Sequence, residues 1–190
     1  HSAHGGSRGG AHEGGYEETS LPDNFFDLAI SNIPFGSIKL HDPAYEKTSS
    51  GEKAGYLIHN YFFAKSIDKV RPGGLLVFIT GPGTMESKAG EAIAVRAELG
   101  RKADLIGAIK LPSNTFQQNA GTQITTDVMV FQKRMDPKKP APYAQKWSDV
   151  DETYTRDGGY PTRVPINEYY KKHPENMLGK VTASGMYGSN

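Results

Sequence analysis

Hydrophobic and polar positions divide the chain into three stretches, and the middle one, residues 16–134, holds nearly all the folding information. Phe25-Phe26-Asp27-Leu28-Ala29-Ile30 is a short apolar run ending in Ser31-Asn32, which predicts a buried strand. Over residues 52–70, Leu57, Tyr61, Phe62, Ala64, Ile67 and Val70 recur at helical spacing with Lys65 outward, and Arg71-Pro72-Gly73-Gly74 supplies the stop. Leu75-Leu76-Val77-Phe78-Ile79-Thr80 is a continuous apolar strand of the kind covered on both faces. A second helix is predicted from about residue 87 to 100, and strands over 104–111 and 123–133. Only Pro112 to Thr122 separates those two strands, so they are expected to pair antiparallel through a long loop. The order strand–helix–strand–helix–strand–strand predicts an α/β fold with an antiparallel edge.

The flanks differ in kind. Residues 1–15, HSAHGGSRGGAHEGG, carry no aliphatic side chain larger than Ala and cannot bury enough apolar area to offset the entropy of ordering. His1, His4 and His12 invite a metal site, but the composition favours a flexible linker or tag remnant. Residues 135–190 contain Pro137, Pro140, Pro142, Pro161, Pro165 and Pro174, with most of the tyrosines. They predict an extended tail packed on a neighbour, with one short helix at about 166–173. Trp147 is expected to anchor it.

Composition narrows the function classes. Lys plus Arg is 22 and Asp plus Glu is 21, a formal charge of +1, so bulk charge gives no reason to expect nucleic-acid binding, while a local basic groove stays open. The absence of cysteine excludes disulfides, thiolate metal sites and a cysteine nucleophile. No apolar run approaches the roughly 20 residues that span a bilayer, so no membrane partner is expected. The first residue is His1 rather than Met, which reads as a piece of something longer.

The chemistry candidate is the turn after the first strand, Ser31-Asn32-Ile33-Pro34-Phe35-Gly36. It falls beyond the carboxyl end of a strand, where α/β sheets place ligands. The Asn32 amide oxygen and the Ile33 carbonyl can accept two hydrogen bonds from one exocyclic amino group, and the Phe35 ring can stack on the base that carries it. Pro34 fixes its own φ and restricts Ile33 towards an extended conformation, so the acceptors stay aimed.

The turn resembles the catalytic motif of the adenine-N6 DNA methyltransferases, usually Asn/Asp-Pro-Pro-Tyr/Phe. The wider run LPDNFFDLAISNIPFG, HNYFFAKSIDKVRPGGLLVFIT and ADLIGAIKLPSNTFQQNAGTQITTDVMVFQK resembles the methylase domain of large bacterial, plasmid and phage methylase–helicase proteins. The stretch Leu111-Pro112…Phe116…Thr126-Asp127 is also similar to the modification subunits of type I restriction systems. The resemblance implies a partial Rossmann-like class I methyltransferase sheet, its strands four to seven with a terminal antiparallel hairpin, lacking the first three strands. It implies S-adenosylmethionine as cofactor of the parent protein, DNA as substrate, a helicase domain or the missing N-terminal half of the methylase as partners, and a cytoplasmic setting. Asn32, Ile33, Pro34 and Phe35 would be catalytic, acting on a base flipped out of the duplex. Glu17, or its neighbour Glu18, would contact adenine or the cofactor's adenosine. No metal is implied.

Two departures from the family pattern stand out. Ile33 replaces the first of the paired prolines. Nothing upstream of Asn32 forms the glycine-rich cofactor turn that follows a first strand, since Gly5-Gly6 and Gly9-Gly10 follow no strand. A strand ending at Ile30 with no upstream neighbour would leave an open edge, inviting the tail, residues 1–15 or a second copy of the chain.

Other constellations have bland readings that outweigh the functional ones. His59 is a helical histidine, Asp104 and Asp127 are hairpin or capping groups, and Gly81-Pro82-Gly83-Thr84 lacks the ending of a phosphate loop, although Thr80 could support the site. Lys138, Lys139, Arg96, Arg101, Lys102 and Lys110 are candidates for phosphate contacts or ordinary surface. Two function classes remain: half of an adenine-N6 methyltransferase, expected to be inactive alone for lack of the cofactor loop, or a non-catalytic methylase-like structural or DNA-interaction module of a helicase or phage protein.

Overall fold

A computed structural model describes residues 14–34, 36–45, 47–49, 52–112, 125–155 and 160–178. A 3-10 turn (Tyr16–Glu18) leads into β1 (Phe26–Asn32), followed by the short strands β2 (Lys39–Leu40), β3 (Lys47–Ser49), β4 (Glu52–Ala54) and β5 (Tyr56–Leu57). Then come α1 (Ile58–Lys69), β6 (Val70–Thr80), α2 (Gly83–Glu86), α3 (Gly90–Lys102), β7 (Ala103–Leu111) and β8 (Thr126–Lys133). The hairpin β9 (Val150–Thr155) and β10 (Thr162–Asn167) and the helix α4 (Glu168–Lys172) complete the described chain.

The central sheet has the order β1-β6-β8-β7. β1 runs parallel to β6, and β8 runs antiparallel to both β6 and β7. The expected antiparallel hairpin is therefore present, but its antiparallel strand is interior and β7 forms the edge. The sequences explain the order: β8 alternates between buried and half-buried residues, whereas β7 leaves Ile106 and Ile109 about two-fifths exposed.

The first predicted helix starts later than its periodicity suggested. Residues 52–57 belong to β4 and β5, and α1 begins at Ile58, where the Glu91 carboxylate of α3 accepts from Leu57 N at 2.7 Å and from Asn60 Nδ2 at 2.9 Å. An acceptor from another helix thus does the work of a side-chain cap. The Arg71-Pro72-Gly73-Gly74 stop does end α1, yet β6 takes those residues up as its first turn of strand. Gly73 has φ +80°, and the register against β1 shifts there, with Phe26 opposite Val70 and Leu28 opposite Leu75.

Cross-strand register puts Leu76, Phe78, Met129, Phe131, Leu105 and Ala108 on one face of the sheet. That face is buried. Phe63 of α1 meets Phe78 and Phe131 edge-on with centroids 5.0 and 5.9 Å apart, and Trp147 meets Phe131 at 5.0 Å. The tail packs into the chain's own core. Trp147, Val164, Ile166, Tyr169 and Tyr170 are buried, and all but Val164 join the chain's own core cluster.

The opposite face carries Leu28 and Ile30, in register with Leu75 and Val77, and it is poorly covered. Leu28 is 48% and Ile30 70% exposed, so β1 is not the buried strand its apolar run predicted. Among the described residues no strand pairs with its outer edge. An apolar run marks a strand as wanting cover without saying where the cover comes from.

Candidate functional site

β1 delivers Asn32 to the carboxyl end of the sheet, paired with Ile79 of β6. The next residue locks the turn: Ile33 N donates to the Ile79 carbonyl at 2.8 Å, and the Ile33 side chain is fully buried in the core. Ile33 is thus held by a backbone hydrogen bond and an apolar anchor. Asn32 itself is exposed, and among the described residues no hydrogen bond engages its side-chain amide. By strand alternation it projects on the poorly covered face that bears Leu28 and Ile30. Pro34 is exposed, and Phe35 lies outside the described residues. Among the described residues nothing engages the Asn32 amide, which sits at the end of a strand.

The loop after β6 is the nearest neighbour of this turn in register, since Thr80 follows directly on Ile79. Pro82 and Thr84 are buried, and α2 starts at Gly83 against His59 of α1: a Cβ added to Gly83 would lie 3.2 Å from His59 Nε2. Burial holds the His59 imidazole below its ordinary pKa, against the pull of Glu91.

Glu17 is not brought to Asn32 by any contact among the described residues. It sits on the turn that Lys65 clamps, with Lys65 Nζ donating to the carbonyls of Tyr16 at 2.8 Å and Glu17 at 3.3 Å. Its carboxylate folds back over Gly15. Lys65 is not outward-facing. It is buried and pairs with Asp42 at 3.0 Å, which also accepts from Tyr61 Oη at 2.6 Å. Burial alone would raise the Asp42 pKa, but the hydrogen bonds from Tyr61, Lys65 and the Ala44 amide hold it below the usual carboxylate range.

The basic residues proposed to line a groove do not form one. Arg96 is buried, donating to the carbonyls of Thr84 and Ser87 at 2.9 Å each and of Ser148 at 3.1 Å. Lys102 pairs with Asp68 at 2.8 Å and Glu98 at 2.9 Å. Lys110 is 3% exposed and bridges Asp127 at 2.9 Å and Glu86 at 3.1 Å. Of the six, only Arg101, Lys138 and Lys139 are exposed.

Asp104 behaves as a structural group, accepting from Arg134 Nε at 2.6 Å and from the Ala141 amide at 2.8 Å. Asp127 does more than brace a hairpin, because it joins Glu86, Lys110 and Tyr170 in a buried cluster at the carboxyl end. Sequence reasoning missed this cluster. The one available signal was a set of ionisable residues inside otherwise apolar strands.

A groove of about 300 Å³ runs along the outer edge of β1, lined by Tyr16, Leu21, Phe26, Ile30, Phe62 and Val70 among others. Among the described residues no group of His, Cys, Asp or Glu could hold a metal ion, and no helix is long and apolar enough to cross a membrane. No glycine-rich turn follows a strand ahead of β1 among the described residues, and the Glu17 carboxylate lies over Gly15. The described residues therefore do not by themselves fit S-adenosylmethionine.

No protein-family model matches the chain. It is 32% identical over 175 residues to Defense against restriction protein B of Escherichia phage P1, covering 89% of this chain and 7% of that protein. Among solved structures it is similar to a putative class I S-adenosylmethionine-dependent methyltransferase from Listeria monocytogenes. That match has a TM-score of 0.50 at 20% identity, over 65% of this chain and 36% of the other. The M protein of the type I restriction enzyme EcoKI aligns with a TM-score of 0.47 at 20% identity, over 74% of this chain and 26% of the other. The chain thus spans a small fraction of the phage relative and about a third of the Listeria protein. Its fold is part of a class I methyltransferase sheet, as the resemblance implied.

Proposed function

We propose that the chain is the motif-bearing part of an S-adenosylmethionine-dependent DNA methyltransferase acting on adenine N6. The observation that carries the reading is the strand-end presentation of Asn32, exposed and unengaged among the described residues, beside an Ile33 backbone tied to Ile79 at 2.8 Å. Two acceptors held this way receive both hydrogens of an exocyclic amino group and fix the base in the plane they define. Accepting both N–H bonds also favours a pyramidal nitrogen, with its lone pair turned to the face from which a methyl group arrives. A strong general base is not required, because the exocyclic nitrogen itself attacks. Phe35 would stack on the base, which must leave the duplex to be reached.

The cofactor loop would come from elsewhere in the parent protein, as would the cover for the outer edge of β1. A missing N-terminal methylase half is the natural occupant of that edge, and a helicase domain and DNA are the further partners of the parent. In isolation, a second copy of the chain could take the same edge. Replacing Asn32 by Ala in the full-length parent is expected to abolish methylation. Retained protection of host DNA in a restriction assay would remove Asn32 from that role.

A second reading is favoured by the 32% identity to a phage protein named for defence against restriction. Here the chain is a methylase-like module that holds DNA or packs against partners without catalysis. The two readings part on whether the parent with intact Asn32 leaves methylated adenine in DNA.

A further inference from the structure

The last row of the buried sheet face differs from the two rows behind it. Leu76, Phe78, Met129, Phe131, Leu105 and Ala108 are apolar, but the row at the carboxyl end is Thr80, Asp127 and Lys110. These residues are direct cross-strand partners, Thr80 with Asp127 and Asp127 with Lys110, so their side chains leave the same face. α2 adds Glu86 and α4 adds Tyr170. Lys110 Nζ lies 2.9 Å from Asp127 Oδ1, 3.1 Å from Glu86 Oε1 and 4.8 Å from the Tyr170 ring centroid, and Tyr170 Oη donates to Asp127 Oδ1 at 2.7 Å. All four are buried. One cation therefore faces two carboxylates away from water. A network of this kind adds little stability over an apolar row of the same volume, so stability does not explain its place.

Its place is the explanation. Glu86 ends α2, and α2 closes the loop that leaves β6 next to the Asn32 turn. The tail grips the same helix a second time, with Asn167 Nδ2 donating to the carbonyls of Met85 and Trp147 at 2.8 Å each. Arg96 of α3 holds the flanking carbonyls of Thr84 and Ser87, and His59 of α1 backs Gly83. We propose that the Glu86–Lys110–Asp127–Tyr170 network positions the loop after β6, so that the C-terminal tail is a working part of the carboxyl-edge site. What the loop serves rests on the base-binding reading above; how it is held does not.

The charge count makes the clamp sensitive to protons. Burial and the neighbouring Asp127 push the Glu86 carboxyl up to about 7, against the opposing pull of Lys110. Lys110 stays charged, because Asp127 and Glu86 outweigh the effect of its burial. Below neutrality the network holds one cation and one anion. Above it Glu86 ionises, an uncompensated negative charge is left inside, and the seat of α2 weakens. For an acid whose folded pKa is raised, the stabilisation is present at low pH and lost as pH rises through the folded value.

Amide hydrogen exchange of the 190-residue chain between pH 6 and pH 8, corrected for intrinsic rates, tests this. Protection of residues 83–86 is expected to fall about tenfold over that interval, the factor that a rise from 4.5 to about 7 produces. Glu86→Gln keeps the shape and should abolish the pH dependence while retaining protection at pH 8. Tyr170→Phe should lower protection at both pH values and keep the slope. A wild-type loop whose protection does not change with pH, or a Glu86→Gln chain that loses protection uniformly along its length, would overturn the proposal. If Tyr170→Phe does not fold, the Glu86→Gln comparison decides alone. A fluorescent single-stranded oligonucleotide containing adenine separates the two readings. A normal exchange result without oligonucleotide binding would count against the base-binding reading and leave the clamp standing.

Discussion

Asn32 and Asp42 show how differently two polar residues ten positions apart are used. Asn32 is exposed at a strand end and its side chain makes no hydrogen bond among the described residues, so truncating it removes nothing they show holding the fold. Asn32→Ala is expected to shift stability by no more than about 0.5 kcal/mol, as substitutions away from structural features do. Thermal unfolding of the two chains checks this, and a large loss would mean that Asn32 is structural. Asp42 is the opposite case. It is the anion for buried Lys65 and the acceptor for Tyr61, so Asp42→Ala strands a cation inside the protein. A loss of about 3–5 kcal/mol is expected, measured by urea denaturation. Sequence pattern could single out Asn32 because the Asn-Ile-Pro-Phe turn is local. It placed Lys65 on an outward face and Lys110 on a surface, because the carboxylates that draw them inward lie 23 and 17 residues away.

At the scale of elements, periodicity located α1, β6, α3, β7 and β8, since each carries its own apolar pattern. What it could not supply was which element covers which. β1 looked buried by composition and is an open edge. The antiparallel strand looked like an edge and lies inside the sheet. The tail looked detached, yet its Trp147 and Tyr170 sit in the core beside strands that precede them by tens of residues. These are long-range pairings, fixed by the three-dimensional fit and invisible in a local window. The open edge has a consequence in solution. A strand that exposes Leu28 and Ile30 beside an apolar groove is a template for another strand. The isolated chain is expected to self-associate with rising concentration in sedimentation velocity, and Ile30→Lys should shift it towards monomer. A wild-type chain that stays monomeric throughout would show that the edge is covered from within.

For the molecule as a whole, the fold is part of a class I methyltransferase sheet, and the proposed function makes it the part that orients the base. The described residues show no cofactor turn ahead of β1, so the 190-residue chain is expected to bind S-adenosylmethionine weakly or not at all. Calorimetric titration showing micromolar affinity would place a cofactor site where none is visible. The near-zero net charge of +1 gains meaning in this setting, since two of the candidate DNA-contacting cations turn out to be buried. On the proposed function, a piece that holds the target base has less need of a phosphate-binding surface than the rest of its parent. The most direct test is mass spectrometry of nucleosides from DNA of cells expressing the full-length parent, with Asn32 intact and as Asn32→Ala. N6-methyladenine present with Asn32 and absent with Asn32→Ala is the predicted result; equal levels in both, or no methylated adenine in either, would contradict it.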